Sequence, residues 1–201
     1  MCVVLENVND DHNIGAVMRS CDSIGIQELY VLNSLPDNKK KFIKVGKRTS
    51  AGTRKWLSVH YYTDVDSCFE YIKSKYDIVA GTVLGESSID LFEMDLTKSY
   101  AFVFGNEKIG ISEMCRKHID TNFIIPQMGM AQSLNISVAC AITLYECYRQ
   151  RLGAGCYNSN KTFTPEKEVL LEHYMQRSKV KPIRYIDYKL FPEDVKPVDK
   201  N

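Results

Sequence analysis

The sequence predicts an α/β fold, a parallel sheet covered by helices on both faces. Short β-branched or aromatic runs alternate with helical ones along most of the chain, the pattern of parallel strands joined by crossover helices. The composition agrees: 201 residues, 44% hydrophobic and 25% charged, suffice to bury one good core, as one domain with an appendage.

In order, Val3-Val4-Leu5 reads as the first strand, Ile14 to Ile24 as a helix closed by Gly25, and Glu28 to Leu32 as the second strand. The run "WLSVHYY" gives the third strand and about Asp64 to Lys75 the next helix; "DIVAGTV" and "YAFVFG" are further strands. A short helix near Ser112 to His118, the strand "TNFIIP" and a long helix from Asn135 to about Arg151 follow. From Val138 to Tyr148 that last helix is apolar on nearly every face. Burial on all sides follows, with one face on the sheet and another on a partner subunit, or under the next helix.

The Gly, Asn and Ser of "LGAGCYNSNKTF" break the periodicity, which divides the chain into a domain at 1–156 and an extension at 157–201. In the extension, Thr164-Pro165 starts a helix whose stripe of Val169, Leu170, Leu171, Tyr174 and Met175 is expected to dock on the core. The tail "KPIRYIDYKLFPEDVKPVDKN" reads as extended. No internal repeat is visible.

Several classes are excluded early. No run approaches the roughly 18 to 20 apolar residues of a membrane span, and "MCVVLENVNDDHN" lacks the basic-then-apolar order of a leader, so the chain is placed in the cytoplasm. The cysteines, Cys2, Cys21, Cys68, Cys115, Cys140, Cys147 and Cys156, form no CxxC pair, and reduced, mostly buried thiols are expected. The dispersed His12, His60, His118 and His173 offer no zinc spacing, so no metal is expected. After the first strand the chain lacks GxGxxG, and GxxxxGK[ST] is absent throughout, so a nucleotide phosphate is not what this sheet is built to hold. A net charge of +1 means that any signal for nucleic acid has to be local.

Three clusters follow strands, where open α/β sheets bind ligands: Asn13-Ile14-Gly15-Ala16-Val17-Met18-Arg19, then "FGNEKIGIS" from Phe104, then "IPQMGMAQSLN". Singly, each has a plainer role. Asn13 could cap its helix, Arg19 could be a solvated helix residue, and Glu107 could favour the next helix N-terminus. Together they resemble the three motifs of the SpoU/TrmH branch of the SPOUT RNA 2′-O-methyltransferases. The forms N-x-G-A-x-x-R, F-G-N-E-x-x-G and I-P-x-x-G-x-x-x-S-L-N-x-S-V-A occur in the family's order, and the similarity runs from about Val4 to near Tyr157. Within that branch, "MGMAQSLNISVA", the His12-Asn13 pair and "RQRLGAGCY" are most similar to enzymes acting on guanosine 18 of tRNA, with large-subunit rRNA enzymes as nearer competitors.

The resemblance implies a trefoil knot in the C-terminal part of the sheet domain, S-adenosylmethionine as methyl donor without a metal, RNA as substrate, and a homodimer that builds each active site from both subunits. It implies a catalytic set of Arg19, Asn13, Glu107, Ser133 and Asn135. The matching arginine is proposed in the family to take the 2′-hydroxyl proton. A guanidinium is a poor base, so Arg19 could instead clamp the adjacent phosphate and stabilise the developing alkoxide. The donor is expected on the loops beginning near Thr82, Gly105 and Ile125, with Leu134 closing the pocket, and a side chain at Gly105 is expected to fill the donor's space. Ser133 and Asn135 also suit the start of a helix as caps of free N–H groups.

For the RNA, "KKKFIKVGKRTSAGTRKW" supplies Lys39, Lys40, Lys41, Lys44, Lys47, Arg48, Arg54 and Lys55 without one acidic residue, as suits a loop gripping phosphates. Arg149 and Arg151 are weaker candidates, and His12 is a further substrate contact or an exposed loop histidine. Two departures bear on the substrate: the tRNA enzymes carry a helical N-terminal extension where this chain starts at the first strand, and the tail after Lys179 is longer than the family's usual end. The alternatives are methylation of an rRNA ribose and an RNA-binding protein of the same fold without catalysis.

Overall fold

Five short strands of almost unbroken burial run side by side because each alternates its side chains between two apolar layers. The computed structural model describes residues 1–35, 52–85, 87–157, 165–179 and 186–187. These strands are β1 (Cys2–Glu6), β2 (Glu28–Leu32), β3 (Ser58–Tyr62), β4 (Ile78–Thr82) and, after a two-residue β5 (Ile89–Asp90), β6 (Tyr100–Phe104). With β7 (Thr121–Ile124) and a two-residue β8 (Ile186–Asp187) they form one sheet in the order β5-β7-β4-β6-β1-β2-β3-β8. Every neighbouring pair is parallel.

The two layers are separate. Val3, Leu5, Leu29, Val31, Phe102 and Phe104 face the helices α1 (Asp11–Ser23) and α4 (Ile136–Gly153), whose Val17, Met18, Cys140 and Leu144 complete that core. The alternate residues Val4, Tyr30, Leu32, Ala101 and Val103 face α2 (Val65–Lys75) and α3 (Glu113–Arg116) through Cys68, Phe69, Ile72 and Cys115. The cysteines Cys2 through Cys147 are buried free thiols, and Cys156 is exposed.

The local chemistry shifts several expected boundaries. Helix α1 starts at Asp11, three residues before the expected Ile14, because the Asp10 carboxylate accepts from the His12 N–H at 2.8 Å. Asp10 is therefore the cap, and Asn13 sits in the first turn with its amide unspent on capping. The helix ends where Gly25 takes φ 79° and the Ile26 N–H bonds the Cys21 carbonyl. Trp56 belongs to the end of a 3-10 turn at Thr53–Lys55 and not to β3, which starts at Ser58.

Helix α4 is not buried on all sides within one chain: Val138, Tyr145 and Leu152, seven residues apart, are 46%, 51% and 50% exposed. Helix α5 (Pro165–Lys179) does not cover this face with its stripe, since Val169, Leu171 and Met175 are themselves exposed. Of the stripe, Leu170 and Tyr174 are half-buried, and Tyr174 stands edge-on to Trp56 at 5.3 Å with its hydroxyl donating to the Trp56 carbonyl.

Candidate active site

All three motif loops leave the same edge of the sheet, the C-terminal ends of β1, β6 and β7, because the strands are parallel. Their side chains meet there. Asn13 on α1 donates to the Glu107 carboxylate at 2.8 Å, across 94 residues of sequence. Asn135 donates to the Asn13 side-chain oxygen at 3.1 Å. Asn135 is also the cap of α4, its oxygen accepting from the Ser137 N–H at 2.9 Å. The same side chain therefore starts the helix and joins the polar chain.

The loop after β6 holds Glu107 in place by its own geometry. Asn106 and Gly110 exchange backbone hydrogen bonds of 3.1 and 2.8 Å, and the Asn106 side-chain oxygen accepts from the N–H groups of Lys108 and Ile109. Gly110 takes φ 68°, which closes the loop at low steric cost. Gly105 is glycine for a different reason than expected. A Cβ there would point at the backbone of Gly110 and Ile111, closer than 3.0 Å, so it would break the loop and not simply fill the cavity.

A network that the motifs do not reveal ties this loop to β1 and β2. Glu6 is fully buried and accepts from the Ser112 N–H at 2.9 Å and from Ser34 and Asn7. Asn7, at φ 55°, accepts from the N–H groups of Ser34 and Leu35, while its carbonyl receives Asn106 at 2.8 Å. Burial, with a hydrogen bond to Glu6 second, pushes the nearby Cys115 thiol far up, so it stays neutral. In the sequence the only trace is the polar pair Glu6-Asn7 directly behind an apolar strand.

Beside the polar chain lies a cavity of about 440 Å³. Thr82, Gly105, Ile125 and Leu134 all line it, with Glu107 and Ser133, and so do Val83, Ile111 and Ile136. Lys108 and Arg116 are its lining cations, with the Arg116 Nε held on the Ile111 carbonyl at 3.0 Å. The volume and the mixture of apolar walls with a few polar groups are those of a small-molecule site.

Arg19 does not join this cluster within one chain. Six residues after Asn13 on α1, it lies on the exposed side of the helix and does not line the cavity. His12 is exposed beside Asn13. Arg149 forks onto Glu146 of the same helix at 2.7 and 2.8 Å with its side chain largely exposed, and Arg151 donates to the carbonyls of Leu96 and Lys98, tying α4 to the segment before β6. Of the expected RNA-binding cations, Lys55 is half-buried in the 3-10 turn; Lys39, Lys40, Lys41, Lys44, Lys47, Arg48 and the side chain of Arg54 lie outside the described residues. Among the described residues no cluster of three potential metal ligands occurs, and no helix is long and apolar enough to cross a membrane.

Residues 1–145 match the SpoU rRNA Methylase family. The chain is 39% identical over 158 residues to a tRNA (guanosine(18)-2'-O)-methyltransferase of Thermus thermophilus, an alignment covering 79% of each protein. A crystal structure of the Aquifex aeolicus TrmH/SpoU tRNA modifying enzyme superposes with a TM-score of 0.76 at 32% identity, over 90% of this chain and 89% of that one. The SpoU methyltransferase AviRb of Streptomyces viridochromogenes, crystallised with its cofactor AdoMet, superposes at 0.66 with 26% identity, over 76% of this chain and 61% of that one.

Proposed function

This chain belongs to the SpoU methylase family, and from that premise we propose that it methylates the 2′-hydroxyl of a ribose in RNA, guanosine 18 of tRNA, with S-adenosylmethionine as donor. The observation that carries the reading is the cavity framed by the loops after β4, β6 and β7, with the Asn13–Glu107–Asn135 chain at its margin. The residues fit the donor. Apolar Val83, Ile125 and Leu134 suit an adenine, and the close packing of Gly105 on its own loop leaves peptide edges to read it.

When bound, the donor supplies a methyl carbon on a positively charged sulfur, open to attack by an oxygen. The protein has to align the ribose hydroxyl and see its proton removed as the new bond forms. Asn13 holds one oxygen of Glu107, so the carboxylate keeps a fixed place at the cavity wall, where it shapes the reacting end of the site. Ser133, exposed at the cavity mouth, is positioned to meet the incoming ribose. Arg19 engages an RNA phosphate and stabilises the developing alkoxide.

Arg19 is exposed and does not line the cavity of its own chain, and in this reading it serves the site of a second copy. The exposed stripe Val138–Tyr145–Leu152 is the surface on which two copies join as a homodimer. In the same reading the three cavity loops belong to a trefoil knot, residues 1–156 form the catalytic domain, 157–201 an extension with the α5 helix, and the enzyme works in the cytoplasm. The lysines from Lys39 to Lys47, with Arg48, Arg54 and Lys55, grip RNA phosphates.

Incubation with labelled S-adenosylmethionine and unmodified tRNA or rRNA, followed by nucleoside analysis, tests the proposal. Labelled 2′-O-methylguanosine at position 18 of tRNA is the expected product. Label appearing only in rRNA moves the substrate, and no labelled ribose in either RNA removes the function.

A further inference from the structure

We propose that Ser137 is a positioning residue for methyl transfer, fixing the Asn135 amide in the orientation that sustains a one-way hydrogen-bond chain to Glu107. The inference rests on the function proposed above. The Ser137 hydroxyl donates to the Asn135 side-chain oxygen at 2.6 Å, the same oxygen that accepts the Ser137 N–H at 2.9 Å. With that oxygen doubly occupied, the Asn135 NH₂ turns outward to the Asn13 oxygen, and the Asn13 NH₂ turns to Glu107.

The sense of the chain is forced at both ends. A carboxylate only accepts, so Asn13 has to present its NH₂ to Glu107 and its oxygen to Asn135. At the other end a backbone N–H and a hydroxyl both require an acceptor. Flipping either amide would set two acceptors or two donors against each other.

The helix does not need the hydroxyl for its start, because the Ser137 N–H alone satisfies the cap of α4. What the hydroxyl adds is stiffness. Asn135 is exposed, and the last torsion of an asparagine is broad, so a side chain held by one hydrogen bond swings more than one held by two. Swinging it releases Asn13 and, through Asn13, the Glu107 carboxylate at the cavity wall.

The test compares single-turnover methyl transfer in the wild-type chain and in Ser137→Ala, Ser137→Thr, Asn135→Ala and the double variant Asn135→Ala/Ser137→Ala. Loss of one hydrogen bond predicts a rate about five- to tenfold lower in Ser137→Ala. Donor affinity by calorimetry and the melting temperature should not change, and Ser137→Thr should return the rate to near that of wild type. In the Asn135→Ala background, Ser137→Ala should cost nothing more, because its only route to the site is gone. An unchanged rate in Ser137→Ala, an equal loss in both backgrounds, or a loss matched by weaker donor binding overturns the assignment. If the wild-type chain transfers no methyl, the proposed function fails by itself. Hydrogen exchange of the Asn13 and Asn135 side-chain amides by NMR then decides the chain of bonds, which requires protection in the wild type and its loss in Ser137→Ala.

Discussion

Replacing Gly105 with alanine tests the architecture of the cavity by a single methyl group. The added Cβ would lie closer than 3.0 Å to the Gly110 carbonyl and the Ile111 nitrogen, against ordinary contacts of 3.4 Å or more, and all of these atoms are backbone. To restore ordinary contact the loop has to move by about 1 Å, and the bonds that oppose such movement are the reciprocal pair between Asn106 and Gly110. At about 1 kcal/mol net for each, losing both costs about 2 kcal/mol. With about 1.4 kcal/mol per factor of ten, donor affinity should fall about thirtyfold in calorimetry. Two comparisons isolate the cause. Gly81→Ala meets the flexible ends of Ile119 and Ile111 and should weaken binding less, while Gly153→Ala, at the end of α4, meets nothing within 4 Å and should leave it unchanged. Donor affinity within about twofold of wild type in a folded Gly105→Ala protein, or a larger loss in Gly81→Ala, refutes the reasoning.

Arg19→Lys keeps the charge and loses the planar fork, and its single-turnover rate should fall at least about a hundredfold; near-normal turnover in a folded Arg19→Ala protein removes the residue from catalysis. Tyr145→Asp places a charge in the middle of the exposed α4 stripe and should give a monomer by sedimentation, with activity lost, since an apolar subunit interface of this sort commonly buries more than about 2,000 Å². A wild-type chain that sediments as an active monomer contradicts the assembly. Burial of Glu28 opposes its ionisation, but His60 at 3.5 Å and hydrogen bonds from Lys75 and Tyr76 outweigh that and hold its carboxyl well below the ordinary 4.5. A depressed folded pKa contributes stability above pH 4.5 that is lost as pH falls through the folded value, so the deficit of Glu28→Gln in urea unfolding should narrow between about pH 5 and about pH 3; a constant deficit argues against the ion cluster.

Much of the sheet was legible because its strands are short apolar runs between helices, and the three motifs were legible because their spacing is long and ordered. The helix starts were less so. Asp10 and Asn13 are both good caps, and sequence does not say which carboxylate or amide reaches a free N–H; only the fold shows that Asp10 does and that Asn13 is spared for Glu107. Glu6 was hidden for a similar reason: a carboxylate at the end of a strand looks solvated until the Ser34, Asn7 and Ser112 donors, drawn from three separate segments, surround it. At α4 and α5 apolar content shows that a face is to be covered and not by what. Ser137 stood inside a motif, yet its short bond to Asn135 follows from rotamers that no spacing encodes.

Helix α4 holds Asn135 at its first turn and carries Val138, Tyr145 and Leu152 along its flank. One rigid rod thus serves both a pocket margin and an apolar face. Thermodynamic reciprocity then makes each a sensor of the other: whatever occupies the flank and shifts the first turn alters affinity in the cavity by some factor, and filling the cavity alters affinity for the flank by the same factor. If two copies join on that flank as proposed, dilution changes affinity in the cavity and saturating ligand changes the assembly, each by that one factor.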